Sequence, residues 1–379
     1  MASLQFTGDK SMHMLKPKIK SVHAPFTLPE NRIIIGLMQY GVASEIEDDE
    51  DGTVARLLTL MDGSRTFDQI YRDLTETHSG LDPESVQQVI EQLIDQGFVE
   101  DCAAPLPDEL SPRELHRYDS ARNFFAWIDT APRQSPYEPQ RRLKNAKVGL
   151  LGLGGTGSAV ATGLAASGVG RLHCVDFDTV EEGNLTRQLL YTEADVGRSK
   201  VATAVERLRA LNSNVLVTGE ECKVGSTEDV VRLMTGCDVF VLCADRPENL
   251  IEEWTNEAAL QTRTPWYVSF YTGPMAVVRS FVPYETGCYV CLRRQEGKRD
   301  INRDVTWLTE RRPNAVIAAS ANVSGHLCAL DVIYRLTGMP QQARGRAFHH
   351  NFANWDHHYY IDVPRDPECP ACGGDAGDD

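Results

Sequence analysis

Two cysteine pairs carry the most specific chemistry in this sequence. Cys288-Tyr-Val-Cys291 and Cys369-Pro-Ala-Cys372 each set two thiols three residues apart. Two such knuckles supply four thiolates, the ligand set of a closed tetrahedral Zn²⁺ site. With no open coordination position the metal would be structural, stapling the C-terminal tail to the body. A redox disulfide would need only one pair at an exposed helix start. A second motif is rich in glycine. Gly152-Leu-Gly-Gly-Thr-Gly157 follows the apolar run Val148–Leu151, with a helix expected from Ser158. Glycines there let backbone N–H groups approach a phosphate at a helix N-terminus. Most such loops bind a dinucleotide, and some bind nothing.

The next apolar run ends in Val175-Asp-Phe-Asp178. An acidic residue about 20 positions past a glycine loop suits ribose recognition. A dehydrogenase would need no more than this. Here the chain continues through Asp178-Thr-Val-Glu-Glu-Gly-Asn-Leu-Thr-Arg-Gln188 and Asp195-Val-Gly-Arg-Ser-Lys200. Asn184, Arg187 and Lys200 therefore gather just beyond the second strand, where a triphosphate could lie. Hydride transfer has no use for such a set, whereas clamping of phosphate charge does. Asp178 also reads as a turn or capping residue, and Arg198 as a surface residue.

These residues need rigid elements behind them. Val148–Leu151, Leu172–Asp176 and Val239–Cys243 are short apolar runs of the buried parallel-strand kind. Helical stretches separate them, which implies βαβ crossovers and a Rossmann-like α/β domain. Pro105–Pro112 reads as a linker. Before it, residues 25–105 form a small winged-helix-like α+β unit, and residues 1–24 a flexible arm. In the small unit Arg32–Val42 is strand-like, and acidic Glu45–Gly52 reads as a solvated turn. Three short helices follow. Val54, Leu57, Leu58 and Met61 line the first. Thr66 and Gln69 form a capping box on the second. Asp82 caps the third, with Pro83 at its first position.

The whole chain has 379 residues, 38 Lys+Arg and 54 Asp+Glu, a net charge of −16. That balance argues against general nucleic-acid binding, which needs basic stripes. No apolar run reaches membrane-spanning length, and Met1–Lys20 lacks a signal-peptide core. Ten cysteines without a signal suggest a reducing, cytoplasmic setting. His349, His350, His357 and His358 cluster near Trp355, and read as exposed side chains before they read as a second metal site.

Taken together, Gly152–Gly157, Asp176–Gln188, Val196–Lys200, Leu211-Asn-Ser-Asn214, Cys243-Ala-Asp245 and the two cysteine pairs resemble the ubiquitin-activating-enzyme-like adenylyltransferase family, which includes ThiF, MoeB, HesA and MccB. The likeness spans residues 115–375 and is nearest in kind to MccB. It implies ATP bound at Gly152, Gly154, Gly155 and Gly157. Asp176 would take the ribose, with Asp178, Asn184 and Gln188 nearby. Arg187 and Lys200 would hold the triphosphate, and Asp245 would carry Mg²⁺. Relatives are homodimers in which an arginine crosses from the second subunit. Arg122 is the choice for that role, with Arg117 as the other option, since Arg117-Tyr-Asp-Ser-Ala-Arg122-Asn departs from the family spacing. Position 246, often Asn in the family, is Arg. Some relatives carry an acyl-accepting cysteine after the first Cys pair. Here none occurs between Cys291 and Cys328, and Cys328 falls in an apolar helix-like stretch. Direct transfer of the adenylate is therefore expected.

Residues 25–100 are similar to the PqqD-like domain of enzymes that modify ribosomal peptides, and the resemblance implies recognition of a leader peptide by strand addition. A docking or dimerisation domain is the plainer reading. A DNA-binding winged helix fits poorly, because the third helix carries Glu84, Glu91 and Asp95 and no Lys or Arg. The expected function is ATP-dependent activation of a carboxylate on a ribosomally made precursor peptide. The alternatives are adenylation of the C-terminal Gly-Gly of a ubiquitin-like sulfur carrier, and a non-catalytic leader-binding protein.

Overall fold

A computed structural model describes residues 14–36, 43–129, 131, 133, 135–248, 250–298 and 315–374. The chain divides into two compact units, Met1–Arg141 and Arg142–Asp379. The division lies later than the expected boundary after residue 105.

The first unit contains β1 (Pro17–Ile19), β2 (Phe26–Leu28), β3 (Arg32–Ile35), β4 (Ser44–Glu47), α1 (Thr53–Leu60), α2 (Phe67–Thr75), α3 (Pro83–Asp95), β5 (Val99–Asp101), α4 (Pro112–Arg117) and α5 (Asp119–Ile128). Strands β2, β3 and β4 form one antiparallel sheet, and β1 pairs with β5. The expected helices form with the expected caps. Thr66 and Gln69 exchange a capping box, and Asp82 accepts the Ser85 N–H. Ile33, Ile35, Leu57, Leu58, Ile70, Leu74, Ile90 and Leu93 fill the core between them.

Two expectations change here. Part of the acidic stretch is a strand, because Ile46 turns inward while Glu45 and Glu47 stay exposed, the two-residue alternation of a half-buried strand. Asp48 then accepts the N–H groups of Val54 and Ala55, holding the start of α1. Residues 17–23, expected within a loose arm, are ordered by backbone pairing of Pro17–Ile19 with Val99–Asp101 and by a short 3₁₀ turn at Ser21–His23. Residues 1–13 of that arm and 37–42 of the expected first strand lie outside the described residues.

After α6 (Glu138–Asn145), the second unit runs β6 (Lys147–Leu151), α7 (Gly155–Ser167), β7 (Arg171–Asp176), α8 (Lys200–Leu211), β8 (Leu216–Glu221), α9 (Thr227–Met234), β9 (Val239–Leu242), α10 (Leu250–Thr262), β10 (Trp266–Thr272), β11 (Met275–Phe281), α11 (Tyr289–Lys298), α12 (Ala318–Thr337), β12 (Arg346–Asn351) and β13 (His358–Asp362). One eight-stranded sheet has the order β13-β12-β11-β10-β9-β6-β7-β8. It is parallel from β8 to β10 and antiparallel from β10 to β13. Helices α7, α8 and α12 pack together and on the sheet. Residues of α9, α10 and α11 share a second core with Phe240, Leu242, Trp266 and Phe281. This is the expected Rossmann-like layering, extended by three antiparallel strands. No helix among the described residues is long and apolar enough to cross a membrane.

Candidate active site

Strand β6 has β7 on one side and β9 on the other, so the winding reverses at β6. Ligands of open α/β sheets bind beyond the strand carboxyl ends at such a switch point. A cleft of 1220 Å³ opens there, lined by residues of the second unit alone.

The glycine loop forms its floor. Gly152 takes φ +97°, and a Cβ on it would meet the Ala244 nitrogen at 2.6 Å, so the loop can turn against β9 only with glycine here. Helix α7 begins at Gly155 rather than Ser158, and no side chain caps it. The amides of its first turn are thus available to an anion. Gly152, Gly154 and Gly155 line the cleft, whereas Gly157 does not. A Cβ on Gly157 would overlap the Gly152 carbonyl, so this glycine serves close packing of helix on loop.

Asp176 ends β7 and is 8% exposed. Its two oxygens accept the Leu153 N–H at 2.7 Å and the Asp178 N–H at 2.9 Å, tying the strand to the glycine loop while lining the cleft. Lys200 opens α8 and is buried, its Nζ 3.0 Å from Asp178 Oδ2. Arg187 lines the cleft and donates to the Gly183 carbonyl at 2.9 Å. Gln188 is 2% exposed, and its Oε1 is buried without a partner at the same wall. Asp245 stands exposed on the cleft just past β9. Asn184 is not brought there. Its side chain accepts the Glu181 N–H and closes a 3₁₀ turn, a local role that the motif alone could not reveal.

Arg122 sits on α5 in the first unit. It donates to Asp119, Glu100 and Asn123 and lies over the Tyr137 ring at 5.6 Å. Arg117 belongs to α4.

Sequence reasoning missed residues at both ends of the cleft. Phe177 and Lys223, just past β7 and β8, line one end, and Trp254, Tyr289, Arg279 and Arg293 line it beyond β9. Phe177 is 45% exposed, with Lys223 Nζ 5.6 Å above its ring. Arg279 had one legible signal, as the lone charge in the apolar strand Met275–Phe281.

The four cysteines come together. Their sulfurs lie within 4.8 Å of one another, at 3.9 Å (Cys288–Cys291), 3.8 Å (Cys288–Cys369) and 3.5 Å (Cys291–Cys372). Zn–S bonds of about 2.3 Å in a tetrahedron need sulfurs about 3.8 Å apart, so the donor set fits zinc. All four are buried. Among the described residues this is the one such ligand group. The histidines form none, and His349 is buried against Tyr359, 4.6 Å between rings, rather than exposed.

Other thiols are poor nucleophiles. Cys328 is fully buried, and burial raises its pKa well above the ordinary thiol range. Burial also pushes Cys174 and Cys243 up to about 12. Residues 299–314, which contain no cysteine, lie outside the described residues.

Residues 129–371 match the model of the ThiF family. The chain is 29% identical to the molybdopterin-synthase adenylyltransferase of Escherichia coli, over 70% of this chain and 99% of that protein. It is 31% identical to the E. coli sulfur carrier protein ThiS adenylyltransferase, over 63% and 90%. In fold it resembles the crystal structure of E. coli MccB with ATP, at TM-score 0.75 and 23% identity over 94% of this chain and 99% of that one. An uncapped glycine loop at the switch point, a buried lysine and an exposed carboxylate thus share one cleft, and the chain belongs to the ThiF family of ATP-dependent adenylyltransferases.

Proposed function

We propose that this enzyme adenylates a carboxylate of a ribosomally synthesised precursor peptide. The observation that carries the peptide reading is coverage. About seven-tenths of this chain accounts for nearly all of a molybdopterin-synthase adenylyltransferase, 70% against 99%. MccB, described as a microcin C7 biosynthetic enzyme and solved with N-formylated MccA, is matched over 94% of this chain and 99% of its own. The additional N-terminal unit is thus what separates this chain from the carrier-activating relatives. Its three-stranded sheet offers edges to which an extended leader could add.

In this reading ATP lies over the glycine loop, with the ribose at Asp176 and the phosphates between α7, Arg187 and Lys200. Asp245 holds Mg²⁺. A substrate carboxylate oxygen attacks the α-phosphorus, the bond to the bridging oxygen breaks, and pyrophosphate leaves with the electron pair. The protein's contribution is alignment of the two reactants and neutralisation of charge. The four thiolates hold a structural zinc. In a homodimer, Arg122 of a second copy completes the phosphate clamp.

Exchange of labelled pyrophosphate into ATP tests the reading. Exchange should depend on a leader-bearing peptide and not on a ubiquitin-like carrier ending in Gly-Gly. Exchange with the carrier alone would turn the assignment to sulfur-carrier activation, the reading favoured by the ThiS adenylyltransferase likeness. Mixing Asp245→Ala with Arg122→Ala protein should restore some activity through mixed dimers. No rescue despite subunit exchange would remove Arg122 from the site.

A further inference from the structure

Beyond β9, away from the ribose end, the cleft runs onto β10 and β11 and ends at two arginines. Arg279 is 15% exposed, lies over the Phe270 ring at 5.0 Å, and has its Nε buried with no partner. Among the described residues it pairs with Glu296, 3.8 Å from Nη2. The other oxygen of Glu296 accepts from Arg293 at 3.1 Å. One carboxylate is therefore shared by two guanidinium groups, and all three residues line the cleft.

An arginine carries five N–H donors, and burying them without acceptors is costly. A single long ion pair satisfies Arg279 poorly. A carboxylate entering from the cleft would satisfy it well, since guanidinium and carboxylate match as a two-bond fork. The position of the pair matters too. Sheet order sets β11 two strands from β9, whose end carries Asp245. At about 4.8 Å per strand that is ~10 Å, within reach of the acyl group being activated. The ribose-binding end at β7 is two strands away on the opposite side.

We propose that Arg279 and Arg293 form a subsite for a second carboxylate on the acyl substrate, with Glu296 as the counter-ion that this carboxylate displaces. The inference rests on the adenylation reading and narrows its substrate to a dicarboxylic unit.

Glutarate and its isosteric half-amide, glutaramate, are the probes. Their binding to the full chain is measured by calorimetry with α,β-methylene-ATP present. Glutarate should bind at least about tenfold more tightly than glutaramate, the usual advantage of a charge-assisted fork. Arg279→Gln should reduce that ratio to near one. Arg293→Ala should also reduce it, and this side chain is 58% exposed, so the fold does not depend on it. Glu296→Gln should tighten glutarate by removing its competitor. Equal binding of the two acids, binding of neither, or a preference that survives both arginine variants would overturn the subsite. Weaker glutarate binding in Glu296→Gln would remove the counter-ion role. Absence of α,β-methylene-ATP binding would instead count against the adenylation reading itself.

Discussion

The two ends of the cleft are built by different means. At the β6–β7 end the working groups are mostly backbone: a turn that only glycine can make, an uncapped helix start, and amides tied to Asp176. At the β10–β11 end they are side chains drawn from a strand and the helix that follows it, Arg279 and Arg293. Backbone suits a ligand whose shape never changes, such as a triphosphate. Side chains can be exchanged without rebuilding the loop, so this is the end where substrate choice can diverge within a shared fold.

The sharpest test of that division is at the seam. Asp245→Ala should lower pyrophosphate exchange by about 10³-fold or more, since losing a metal anchor removes several kcal/mol of charge stabilisation. Circular dichroism should remain unchanged, because the side chain is exposed. Gly152→Ala strikes the backbone end alone. A Cβ there meets backbone at 2.6 Å and φ +97° disfavours it, so we expect ~1–3 kcal/mol of strain and lost ATP affinity, read by thermal shift and calorimetry. Cys369→Ser strikes the other end. Helix α11 starts between Cys288 and Cys291 and carries Arg293 and Glu296. Wild-type protein should hold about one zinc per chain by metal analysis. The variant should lose it, melt earlier, and lose acyl-substrate affinity before ATP affinity. A folded, zinc-free wild type would refute the staple. The smallest effect belongs to Arg246→Ala. Its side chain is 72% exposed and pairs with the exposed Glu248 at 3.8 Å, so exchange should change by less than about threefold.

What could be read without coordinates follows from locality. The glycine loop, the cysteine knuckles and the caps at Thr66 and Asp82 are short-range devices whose partners lie within a few residues, so spacing alone exposes them. The parallel strands were legible because burial on both faces leaves unbroken apolar runs, as in Val239–Leu242. The same locality misled in places. Acidic Glu45–Glu47 concealed a strand whose pairing partner, Arg32–Ile34, lies before it in the chain and is not marked by any local spacing. Asn184 carried the motif but turns its side chain to its own loop. Only the tertiary structure decided that Asp176, Lys200, Asp245 and Arg279 share one cleft, because a sheet orders its strands by packing and not by position in the chain. Sequence by itself marked out the glycine loop and the two cysteine pairs, each of which is read from neighbours along the backbone. That the stretch carrying Arg279, Arg293 and Glu296 faces the same cleft as Asp245 depends on where β11 lies in the sheet, and no spacing along the chain records that.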